Sequence, residues 1–282
     1  MERRGRARIR RFFAFTAVSL GYMGRTFPLV LAMTALASFC FVKAFEGALP
    51  GNASAVDALI WAFDPSAGIS LLWFVCPAIF MVALSRVWKE KERAHVIVAH
   101  GSEGKVFASY LADVLLLALA GTAVLLVTLL ACGLATFGTV SNFGDSSSLM
   151  ASYVKETTEG FSFSTALPVF ALYGFLSLAF SGMAFYVVRV ICKNTVAAFG
   201  VVAACGLPQV HGATSFVYDA AKTVGLSMPI VNPLSYLYET ASVFYPSWIP
   251  GASHSLWVLA LAVACLVGIG FVVTHGRDYA SA

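Results

Sequence analysis

Charge is what this sequence has least of. Asp, Glu, Lys and Arg make up 11% of its 282 residues, where a soluble domain carries roughly 25%, so a water-solvated globular fold is excluded. Cysteine is present but unpatterned. The six (Cys40, Cys76, Cys132, Cys192, Cys205, Cys265) fall inside or beside apolar runs with no CxxC pair, which favours small apolar core residues over disulfide or metal roles. Internal repeats, low-complexity tracts and a soluble domain are all missing.

Catalytic patterns are missing as well. His95 and His100 stand near Glu90, Glu92 and Glu103, but without the HExxH spacing that puts two ligands and a base on one helix face. The stretch from Gly101 to Lys105 lacks the GxxxxGK[ST] spacing that wraps phosphates in backbone amides. No GxSxG elbow and no intramembrane carboxylate pair occurs, which removes the main support for hydrolase or intramembrane protease chemistry. The expectation is therefore a chain that is not an enzyme and binds no cofactor, metal, ATP or Mg itself.

What the sequence does have is apolar surface in runs: 59% of residues are hydrophobic and the mean hydropathy is +0.83. Several runs approach the ~20 residues that a helix rising 1.5 Å per residue needs to cross a ~30 Å hydrocarbon core. The predicted fold is all-α and polytopic, with six spans at about 27–45, 66–85, 107–137, 165–190, 195–212 and 255–274. Gly21, Gly24 and Arg25 interrupt the first apolar stretch and no small-residue cleavage site follows, so the N-terminus is expected to be retained rather than cleaved as a signal peptide.

Two segments outside the spans carry apolar character. Ile9, Phe12, Phe13, Leu20 and Met23 recur at helical spacing with Arg8, Arg10 and Arg11 among them, predicting an amphipathic interfacial helix over about 6–23. The region of about 213–254 holds Pro229, Pro233, Pro246 and Pro250 among Tyr236, Tyr238, Phe244, Tyr245 and Trp248. Proline breaks any continuous helix and amphipathic aromatics settle at interfaces, so this segment is predicted to be re-entrant on the outer face.

Six alternating spans leave fifteen of the eighteen cations on one side, in the N-terminus, the second and fourth loops and the tail. Lys43, Lys155 and Lys222 alone fall on the other. Positive loops stay inside, which predicts a cell-membrane protein with both termini cytoplasmic. The net charge of +4 then reports topology, not nucleic-acid binding.

Polar residues inside spans are costly and therefore informative. Asp113 is the one acid within a predicted span; it pairs with a cation such as Arg86 or Lys105, or it faces a water-filled cavity. Gln209 and His211 follow Pro208 at the outer end of the fifth span, as a polar helix end or as lining of a substrate exit.

The inner loop of about 86–106, with its flanks, reads SRVWKEKERAHVIVAHGSEGKVFASYLAD and resembles the coupling segment of ABC-2 type permeases. Lys89, Glu90, Glu92 and Arg93 match the family's charged start, Val96, Ile97 and Val98 its apolar stretch, and Gly101 with Ser102 its break. An amphipathic N-terminal helix, six spans and a Pro-rich outer region before the last span agree. Family members often carry Gly-Thr at Ala94–His95, a proline near Gly101 and a lysine near Tyr110, where this chain departs. The resemblance implies a homo- or heterodimeric permease seated through this loop on a separate ABC ATPase subunit, which would hold ATP and Mg. The competing readings are an ion-coupled transporter using Asp113 and a non-transporting membrane scaffold.

Overall fold

The computed structural model of the chain describes residues 2–47, 52–63, 71–93, 103–142, 163–206 and 249–275. They form seven α-helices: α1 (Glu2–Phe45), α2 (Ala55–Phe63), α3 (Cys76–Arg93), α4 (Glu103–Phe137), α5 (Phe163–Cys192), α6 (Thr195–Gly206) and α7 (Ile249–His275). A π-helical turn, Leu71–Val75, leads into α3, and no strand occurs among the described residues. Among the described residues three helical stretches are long and apolar enough to cross a membrane: Gly24–Ala44, Gly104–Phe137 and Leu167–Cys192. Leu259–His275 is a shorter apolar helix.

α4 and α5 form the centre, with α1, α2 and α7 packed on α4, and α3, α6 and α7 on α5. Lipid supplies no hydrophobic drive between helices, so close approach depends on small residues and interhelical hydrogen bonds. Both are present. A Cβ on Gly182 would lie 2.7 Å from Phe80 Cε1 and 2.8 Å from Val114 Cγ1, which lets α3, α4 and α5 meet at one point. Ser38 and Thr128 share a hydrogen bond of 3.0 Å between α1 and α4, and Tyr186 and Thr274 one of 2.7 Å between α5 and α7.

α1 runs unbroken through the expected junction between an interfacial helix (6–23) and a span (27–45); these are one helix. Gly21 and Gly24 each cost the helix only about 1 kcal/mol, too little to end it. The cysteines are only partly the core residues expected. All five described thiols are free, but Cys40, Cys192 and Cys265 sit on exposed faces and Cys76 alone is buried.

The largest departure is α2, a segment read as outer loop. Eight of its nine residues, Asp57 included, are buried. Its first turn is pinned to the end of α4: Ala55 and Val56 donate their N–H groups to the Thr139 and Val140 carbonyls at 3.0 and 3.1 Å. Gly133 is bare where the α2 backbone crosses it, a Cβ there lying 2.8 Å from Ala55 Cα. Eight residues on, Phe63 approaches Gly174 and Thr122 near the midpoint of α4. The π-helical turn contacts α2, and α3 then leads away, with Phe80 beside Val114 and Trp88 against Tyr110. α2, with nine residues, and α3, with 18, thus follow one another along the bundle as separate helices.

Charged residues mark two levels. Thr128 holds Ser38, so Lys43, five residues further along α1, comes level with Gly133. There it pairs with Glu46 at 2.9 Å. At the other end Arg25 and Arg86 come level with Asp113. Asp113 and Gly133 are twenty residues apart on α4, about 30 Å at helical rise, which matches a hydrocarbon core.

Candidate functional site

The site that chemistry singles out lies where α3, α4, α5 and α7 converge at the α4 N-terminal end. Trp88 is fully buried. It stacks on Phe185 at 5.6 Å between ring centroids and meets Tyr110 and Tyr186 edge-on at 5.3 and 5.7 Å. The Arg189 guanidinium lies 5.3 Å from its ring centroid, a cation–π contact. Phe107 extends the cluster to Phe271 of α7 at 5.7 Å. Asp113, one turn beyond Tyr110 on α4, is fully buried at the same end.

The charged residues of the expected coupling loop follow Trp88 directly along α3. Lys89, Glu90, Glu92 and Arg93 form the last turns of α3, and Lys89 is exposed. The loop is therefore shorter than about 86–106: its first eight residues continue α3 and its last four open α4. Arg86 and Lys105, considered as partners for Asp113, are both exposed, whereas Asp113 is not. Val96, Ile97, Val98, Gly101, Ser102, Gln209 and His211 lie outside the described residues, as does the region of about 213–254 apart from the start of α7.

A second polar cluster, missed in the sequence reading, caps α2. Asp57 Oδ2 accepts from the Ser54 N–H at 2.8 Å and from Ser54 Oγ at 3.0 Å, while Ser54 Oγ receives the Asp57 N–H at 3.4 Å. Asn142 Nδ2 donates to the Asn52 carbonyl at 2.8 Å. This reciprocal capping box, with the Thr139 and Val140 carbonyls that follow α4, satisfies the N–H groups that a buried helix start would otherwise strand. The cluster is thus structural, although Asp57 Oδ1 has no hydrogen-bond partner. Among the described residues no group of three His, Cys, Asp or Glu side chains is placed to hold a metal.

Fold and site together define an all-helical membrane protein. No protein-family model, curated protein or solved structure matches the chain.

Proposed function

We propose that the chain is the membrane-spanning subunit of an ABC-2 type exporter, working as a homo- or heterodimer with a separate ATPase subunit that binds ATP and Mg. In this reading six crossings leave both termini in the cytoplasm, and α2 with α3 makes one of them. The chain itself performs no hydrolysis. The observation that carries the reading is mechanical: the charged tip Lys89–Arg93 continues α3 without a break, and Trp88 one residue earlier is clamped to α4 and α5. A push on the tip by a partner would move the bundle rather than bend a loop. The tip's charges would supply complementarity to the partner's cleft. Reversing Glu90, Glu92 and Arg93 together is expected to uncouple export from ATP hydrolysis while membrane insertion persists; normal export by the inserted variant contradicts the reading.

A second reading, ion-coupled transport, draws on two observations: the crossing divided between the separate helices α2 and α3 and the fully buried Asp113. Such transporters place discontinuous helices and ionisable groups within the membrane. Gradient-driven flux abolished by Asp113→Asn, with no ATPase subunit required, would select it over the first.

A further inference from the structure

We infer that the α1–α3 face at the Asp113 level is a binding site for an anionic phospholipid headgroup. Arg25, Arg86 and Lys89 are exposed, and α1 and α3 pack on each other. Trp88 against Tyr110 and Phe80 beside Val114 set Arg86 and Lys89 at and just beyond the level of Asp113. The Ser38–Thr128 bond brings Arg25 to nearly that height on α1. The three cations therefore fall within about 9 Å along the bundle axis at helical rise, close to the depth of one headgroup layer.

None of the three makes a hydrogen bond, ion pair or cation–π contact with a described residue. Three exposed cations at the edge of the hydrocarbon repel one another and favour a counter-charge there. The surface beside them is apolar: Val82, one turn before Arg86, is 41% exposed, and Leu29, one turn after Arg25, is 38% exposed. Acyl chains cover such side chains, and a soluble phosphate would not. Charge and greasy surface together fit a phosphodiester headgroup with its tails. Lys105 and Lys193 are also exposed but stand at the start of α4 and just after the end of α5 rather than on α1 or α3. They carry the same charge without the site.

The test compares purified protein in nanodiscs of pure phosphatidylcholine with nanodiscs containing phosphatidylglycerol. The melting temperature is expected to rise with phosphatidylglycerol, and native mass spectrometry to show one or two retained copies of it. Arg25→Gln with Arg86→Gln should lose more than half of that rise and the retained lipid; Lys105→Gln with Lys193→Gln should keep both. Equal losses in the two double variants would mean bulk surface attraction and overturn the site. So would a rise of the same size from soluble glycerol phosphate. Neither readout requires an ATPase partner, so the site stands or falls separately from the exporter reading.

Discussion

Trp88 lies nearly parallel to Phe185, their planes 14° apart and their centroids at 5.6 Å, so the last apolar residue before the charged tip of α3 is keyed into α5. Removing that key should be costly. Trp88→Ala deletes a fully buried aromatic and should destabilise the protein by about 3–5 kcal/mol. Trp88→Phe keeps a ring and removes an indole N–H that has no hydrogen-bond partner, so it should cost clearly less. Thermal unfolding in detergent, followed by tryptophan-independent thiol reactivity of Cys76, orders the three proteins. An alanine variant as stable as the parent contradicts the keyed arrangement.

The capping box makes its own claim. Ser54→Ala removes the hydroxyl that holds Asp57 Oδ2 at 3.0 Å and caps the Asp57 N–H, and should cost about 1 kcal/mol, in the range of lost N-caps. Ser54→Thr should recover most of it. Unfolding midpoints of the two variants check the order.

Gly133 tests whether α2 is seated in the bundle. Valine there would press into the Ala55 backbone, already 2.8 Å from an added Cβ, and should lift the start of α2 from α4. Ala58 is 1% exposed, so Ala58→Cys in an otherwise cysteine-free protein should resist a small maleimide. The same cysteine beside Gly133→Val should react at least tenfold faster. Equal slow rates would place α2 elsewhere.

Legibility in the sequence followed the length of the apolar run. The spans expected at 107–137 and 165–190 appear as Glu103–Phe137 and Phe163–Cys192, because long uninterrupted hydrophobic runs have one low-energy form in lipid. α2 escaped because nine residues, though apolar, are too few to register as a crossing helix. Two local signs were readable: the Ser54–Asp57 spacing of a capping box, and Val56, Leu59, Ile60 and Phe63 at helical intervals, a pattern of one buried face. Trp88 escaped for a different reason. It sits among Arg86, Lys89 and Glu90, and only the convergence of four helices gives it an apolar environment. Charged residues after a span signal a loop by hydropathy, yet a helix continues readily through Lys, Glu and Arg.

The most direct test is the side of the membrane that Lys89 faces. In a cysteine-free protein, Lys89→Cys should be labelled by a membrane-impermeant maleimide in inverted vesicles and stay unlabelled in intact cells. Labelling from outside intact cells, with inverted vesicles unreactive, would put the charged tip of α3 beyond reach of any nucleotide-driven partner and contradict the proposal.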